Sequence, residues 1–256
     1  MTIIRSLLMV LLLAPALSLP AASQTAAVHI ANGDRAYASL DGQSALAHYE
    51  KAIAADPSSY EAHWKASRSA VDIGSYHADA SRRGSLFQSA EQYARRSIAL
   101  KPNDAEGHFS LARALGKTAL AQSTRGRIRY ATEIRARALE CLRIDPRHAG
   151  CLHVMGAWNA EVMRLNSVAR MVAKNVLGGR VFGQASWKDA VRYMEASVAN
   201  EPNRIVHRVD LAEIYLDVKQ RDKAVAELEA ALRLPVDDVN DRIYKEQAKT
   251  ALSRIR

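Results

Sequence analysis

The chain has 256 residues and a formal net charge of +9, with only twelve glycines, seven prolines and three phenylalanines. Being rich in alanine, arginine and glutamate and poor in β-branched and aromatic residues, it favours helices and argues against a sheet protein. A chain of this length builds one or two compact domains or one elongated array.

The first element is not part of the fold. Residues 1–23 carry an early charge, Arg5, an apolar run from Leu7 to Leu17 and the small exit Ala21-Ala22-Ser23. This is the pattern of a secretory signal peptide, and the run is short of the roughly 20 apolar residues a spanning helix needs. Cleavage is expected after Ser23, leaving a mature domain of residues 24–256 in the periplasm or outside the cell. An uncleaved membrane anchor is the competing reading. A basic protein in that setting meets anionic lipid, polysaccharide or acidic proteins rather than nucleic acid.

The remaining elements are punctuated by proline. Pro57, Pro102, Pro146, Pro202 and Pro235 each close an apolar helical run, because proline cannot continue the helix and biases its predecessor away from α geometry. The runs carry Ala45/Tyr49/Ala52, Ala90/Tyr93/Ser97, Ile134/Ala138/Cys141, Ala190/Met194/Ser197 and Ala224/Leu228/Ala231. Spacings of three and four put each set on one helix face. After the first four prolines new helices are predicted over Tyr60–Asp72, Ala105–Gln122, Ala149–Leu165 and Ile205–Val218, and a last one over Asp241–Arg256. Short loops make consecutive helices antiparallel. The fold class is therefore all-α, a string of about five αα-hairpins, and Asp241–Arg256 reads as the helix that closes the open end.

The small residues Gly33, Ser67, Ala112, Gly156 and Ala212, each followed by an alanine–bulky–small–proline helix, resemble tetratricopeptide repeats. The last proline interval, 33 residues, is near the ideal repeat length; the others are 45, 44 and 56, with the extra residues expected between the two helices of a repeat. Residues 146–256, with DPRHAGCLHVMGAWNAEV, LGGRVFGQASWKDAV and ALRLPVDDVNDRIYKEQAKTAL, resemble the C-terminal region of the regulator of microtubule dynamics family. That resemblance implies a repeat protein without enzymatic activity. The microtubule role is not carried over, since a secretory signal keeps a chain from the cytoskeleton.

In tetratricopeptide proteins the first helices of the hairpins line a concave groove. Carried over, that register directs Tyr37, Trp64, Arg68, Asp72, Phe109, Arg113, Lys117, His153 and Glu161 to the groove; ordinary packing or solvation is the bland reading of each. Trp64/Arg68/Asp72 and Phe109/Arg113/Lys117 fall in register in consecutive repeats. A double aromatic–arginine pair suits an acidic segment of a protein or peptide partner.

Other constellations are weaker. There is no nucleophile elbow, phosphate loop or zinc helix, so no catalysis and no cofactor is expected. His148, Cys151 and His153 are close in sequence, but Cys151 and His153 point to different faces of a helix, and no metal is expected. Arg125, Arg127, Arg129, Arg135 and Arg137 form a basic stripe, either a solvated helix face or a patch for an anionic envelope surface. No aromatic platform interleaves them for RNA. Residues 162–177 are amphipathic and cationic, packing on the array or lying on a membrane surface. Cys141 and Cys151 sit five positions either side of Pro146, at matching heights on antiparallel helices, and are either a disulfide or two buried thiols. Nothing in the sequence indicates the oligomeric state.

Overall fold

The structure, a computed structural model, describes residues 21–166, 171 and 181–255. The expected signal peptide therefore lies almost wholly outside the described residues, as does most of the amphipathic stretch 162–177. Among the described residues there are eleven α-helices and no strand: α1 (Ala21–Ala38), α2 (Gly42–Ala55), α3 (Tyr60–Ser75), α4 (Ala80–Leu100), α5 (Ala105–Leu120), α6 (Thr124–Ile144), α7 (Ala149–Arg164), α8 (Trp187–Asn200), α9 (Ile205–Asp217), α10 (Arg221–Arg233) and α11 (Asp241–Ile255). A 3₁₀ turn, Val181–Gln184, precedes α8. Successive pairs α1/α2 to α9/α10 form five hairpins, and α11 closes the array.

The proline boundaries share two devices. The four proline turns between hairpins lead to a capped start at three of them: Ser59 accepts from the Ala62 amide, Asp104 from Glu106 and His148 from Cys151. These caps satisfy amides that the first turn of a helix leaves without partners. The next helix then reaches back to the proline. His63 Nε2 donates to the Pro57 carbonyl at 3.1 Å, His108 Nε2 to Pro102 at 2.8 Å and Arg208 Nε to Pro202 at 2.8 Å. In all three the donor lies six residues after its proline, so the turn geometry is repeated along the array.

Within hairpins the helices cross at small residues. Ala45, Tyr49 and Ala52, and likewise Ala224, Leu228 and Ala231, are fully buried. In hairpin two the buried set is Ala90, Ala94 and Ser97. Ala94 sits at the crossing itself, and Tyr93, on the flank of the same face, packs half-buried against the cluster of Ala45, Tyr49 and Ala66. Tyr93 also donates to Glu50 at 2.9 Å. At Gly33 a methyl group would stand 2.5 Å from the Tyr49 ring. Overpacking of that kind costs about 1–3 kcal/mol, which explains a glycine inside a helix.

The long proline intervals have two different origins. Hairpins two and three hold no inserted loop: α4 and α6 are 21 residues each, so the extra residues extend the helices toward the hairpin tip. Hairpin four instead carries an insertion, between Arg164 and Trp187. Hairpins one and five keep a compact turn. In each, a residue with positive φ (Leu40 at 63°, Lys219 at 62°) sits just past the helix. The following amides bond back as Asp41 to Ala36 at 2.9 Å and Gln220 to Tyr215 at 2.7 Å. This is the Schellman pattern, which satisfies the last carbonyls of the helix.

Candidate binding groove

The first helices of the hairpins, α1, α3, α5, α7 and α9, face inward and enclose a cavity of about 380 Å³ with α6 and α11. Its apolar wall includes Leu120, Ile128, Ile134, Trp158, Val162 and Phe182. Trp158 is fixed by donating its indole N–H to the Ala131 carbonyl at 2.8 Å and by stacking on Phe182, with ring centroids 6.2 Å apart. Phe182 comes from the 3₁₀ turn, so the end of the insertion in hairpin four completes the wall of the cavity. The rim is polar and charged, with Arg68, Lys117, His153 and Asp210.

One end of the inner face is saturated with internal partners. The Asp72 side chain is fully buried and forms an ion pair with Arg113. Its other oxygen accepts from the Tyr37 hydroxyl at 2.9 Å. Tyr37 also lies 3.2 Å from Asp238, which pairs with Arg204 at 2.9 Å. Asn240 donates its side-chain amide to the Asp72 carbonyl at 3.1 Å. The loop after α10 thus reaches across the array and docks on the first two hairpins. Tyr76 and Tyr244 meet edge to face beside it, 5.7 Å apart. Burial, with Asp72 and Asp238 adding to it, pushes the Tyr37 hydroxyl far above its ordinary range, so it stays a proton donor. Burial works to raise the Asp238 carboxyl, but Arg204, the Asn240 amide and Arg113 outweigh it and hold the group below the usual range.

The other end is different. Lys117 lines the cavity, and its ammonium has neither a hydrogen bond nor an ion pair among the described residues. Burial, followed by the nearby Arg113 guanidinium, lowers its pKa from the ordinary lysine value. Arg68 also lacks a carboxylate partner among the described residues. It stacks on the Tyr37 ring at 3.7 Å and reaches the Tyr49 hydroxyl at 3.4 Å, while its Nε is buried without a partner.

The residues the sequence directed to the groove divide accordingly. Tyr37, Arg68, Phe109, Arg113, Lys117, His153 and Glu161 all line the cavity. Asp72 lies beneath them, holding Arg113. Trp64 is beside Arg68, 5.3 Å from its guanidinium, and is outside the cavity wall. Phe109 reaches the cavity edge, but its ring also covers Gly150 and stands 4.9 Å from His148. His153 bonds Asp210 at 2.7 Å and stacks on His207 at 4.7 Å. Burial, then His153, pushes His207 well below the ordinary histidine value, so it is neutral and donates Nδ1–H to Ser197. Glu161 pairs with Arg164 at 2.8 Å and Arg127 at 3.4 Å.

The arginines of α6 do not form one stripe, because a helix turns about 100° per residue and scatters these positions around its axis. Arg127 faces Glu161, Arg135 donates to Gln184 at 2.5 Å, and Arg137 lies 3.5 Å from His108. Arg129 is exposed, and the Arg125 side chain lies outside the described residues. Cys141 and Cys151 are joined as a disulfide, with Cα atoms 6.4 Å apart. The sequence reading missed Tyr76, Arg204, His207, Asp210, Asp238 and Tyr244. No local signal marks them, since each acts through a partner far away in sequence.

The family model of regulator of microtubule dynamics protein 1-3 matches residues 29–256. Among solved structures, a thermophilic TPR protein of Thermus thermophilus superposes with a TM-score of 0.64 at 20% identity, over 88% of this chain and 99% of that one. The Pseudomonas aeruginosa pilF protein gives 0.51 at 14% identity, over 92% and 94%. No curated protein matches the chain. The two structures establish a tetratricopeptide superhelix.

Proposed function

We propose that this chain, which belongs to the regulator of microtubule dynamics protein 1-3 family, is an exported, non-enzymatic scaffold that binds a protein or peptide in its inner groove. The observation that carries this reading is the cavity of about 380 Å³ with an apolar wall and a cation, Lys117, whose ammonium forms no ion pair among the described residues. Binding sites of this size are concave and mostly apolar, with a few polar groups to orient the ligand. An acidic segment with one large apolar side chain matches it. The apolar group fills the space beside Trp158, and a carboxylate reaches Lys117 and Arg68. Arg113 is not free for this role, because its guanidinium is held by Asp72. The signal-like residues 1–23 and the Cys141–Cys151 pair support export to the periplasm or beyond, where disulfides persist.

Selection from a random peptide display library with residues 24–256 tests the reading. Acidic sequences with a large apolar residue should be enriched, and the enrichment should vanish for a variant carrying Arg68→Glu and Lys117→Glu. Enrichment that survives both charge reversals would place the binding surface elsewhere.

A further inference from the structure

The turn at Pro146 gathers three metal-ligating side chains that the groove does not use. Cys141 lies in the last turn of α6, Cys151 in the first turn of α7, and His148 caps α7 between them. One ligand atom from each lies within 4.8 Å of the other two. The trio differs from the one the sequence brings to mind: His153 is on the groove with Asp210, while Cys141 joins from across the turn.

The orientation of His148 is the second observation. Its Nε2 is 3.3 Å from a carboxylate oxygen of Glu106, and its Nδ1 accepts from the Cys151 amide at 3.2 Å. A carboxylate accepts, so Nε2 carries the proton and the Nδ1 lone pair is directed at the start of α7, beside the two sulfurs. Histidines that bind metals are held in this way, with the second ring nitrogen donating to a carboxylate. The trio's ligand atoms lie within 4.8 Å of one another and can reach a metal's spacing by side-chain rotation once the sulfur–sulfur bond opens. Zinc takes sulfur at about 2.3 Å and imidazole nitrogen at about 2.0–2.1 Å in a tetrahedral array, so its ligand atoms stand roughly 3.4–3.8 Å apart. Two thiolates would neutralise a divalent cation. That matters because both cysteines are fully buried and a net charge there would be costly.

We propose that reduction of the Cys141–Cys151 disulfide by a dithiol turns this corner into a three-ligand site for a borderline divalent cation such as zinc. The dithiol supplies two electrons and two protons, breaking the sulfur–sulfur bond and itself becoming a disulfide. Metal binding then expels the two thiol protons as two sulfur–metal bonds form, and Nδ1 exchanges the Cys151 amide for the metal. Glu106 orients the imidazole, and solvent takes the fourth position. The same three residues would thus staple hairpin three to hairpin four in an oxidising compartment and hold metal in a reducing one.

Cobalt(II) titration of the reduced full chain, followed by displacement with zinc(II), tests this. Expected are thiolate-to-cobalt charge-transfer bands and tetrahedral ligand-field bands that saturate at one equivalent, and none of these with the oxidised chain. Glu106→Gln should keep the spectrum while weakening affinity about 10–100-fold. His148→Asn, which keeps a capping acceptor, should alter the ligand-field bands. Binding by the reduced chain no tighter than by a Cys141→Ser/Cys151→Ser variant overturns the proposal, as does an unchanged spectrum in His148→Asn. Far-ultraviolet circular dichroism accompanies each titration. If the reduced chain has lost helix, recovery on adding zinc supports the site, and failure to recover rejects it.

Discussion

Two neighbouring parts of the inner face, one around Asp72 and one around Lys117, both carry charge but do different things. Around Asp72 the buried carboxylates have partners from the chain itself, Arg113 for Asp72 and Arg204 for Asp238, with Tyr37 bridging both. One turn further along α5, Lys117 has none among the described residues. What separates a structural arginine from a ligand-ready lysine is whether a distant segment returns with the counter-charge. For Arg113 the counter-charge is Asp72 on α3, itself tied to the loop after α10 through Asn240 and Tyr37. For Lys117 the nearby carboxylate, Asp210, is taken by His153.

The largest effect on stability is expected at Asp72. Removing one member of a buried ion pair leaves the other uncompensated and costs about 3–5 kcal/mol. In a domain of this size each kcal/mol moves Tm by about 2–4 °C, so Asp72→Ala should lower Tm by about 10 °C. Replacing the pair together, Asp72→Leu with Arg113→Met, should recover much of that loss, because no buried charge is left over. Calorimetry of the three chains measures both effects. An Asp72→Ala chain that melts with the wild type would make this end as open as the other.

A smaller effect is expected where the array closes on itself. Asp238→Ala removes an acceptor shared by Arg204 and Tyr37, and hydrogen bonds to charged groups contribute about 1.5–3 kcal/mol. The contact also has a pH signature. Because Asp238 is held below the usual carboxylate range, its contribution is fully present above the unfolded-state value and is lost as pH falls through the lower folded value. The wild type should therefore lose its advantage over Asp238→Ala in urea melts at strongly acid pH and keep it from about pH 5 upward. An advantage independent of pH would show that packing of the loop, and not its charge, closes the array.

How much of this could be read from the sequence follows from the range of each interaction. Hairpins were legible because proline stops and three–four spacings act within one helix, and the predicted starts of α3, α5, α7 and α9 match the structure. The Cys141–Cys151 geometry was legible because both flank one turn. Tyr93 and Ala94 could not be told apart at the crossing, because Tyr49 and Leu228 show that this position takes large residues in other hairpins. The long repeat intervals did not reveal whether extra residues form loops or longer helices, since alanine- and arginine-rich stretches permit both. The Asp72 cluster was illegible for a different reason. Asp72 and Asn240 are 168 residues apart, Tyr37 and Asp238 are 201 apart, and no periodicity reports such a meeting. Without it, Arg68 and Arg113 looked equivalent.

Lys117 gives the smallest effect on stability and the opposite sign. An enclosed ammonium without a partner costs the folded state, so Lys117→Met should leave stability unchanged or raise it by about 1 kcal/mol. The pH dependence distinguishes this from better packing by methionine. Burial lowers the folded-state value, so below it the penalty is complete, and it fades as pH rises toward the unfolded value of about 10.4. The advantage of Lys117→Met in denaturant melts should therefore be largest near neutrality and shrink as pH rises toward the unfolded lysine value. The same variant should lose the acidic peptides selected by the wild type. Loss of binding without loss of stability is the signature of a charge kept for a ligand. A destabilised Lys117→Met chain would instead make Lys117 a structural residue like Arg113, and the contrast between the two ends would disappear.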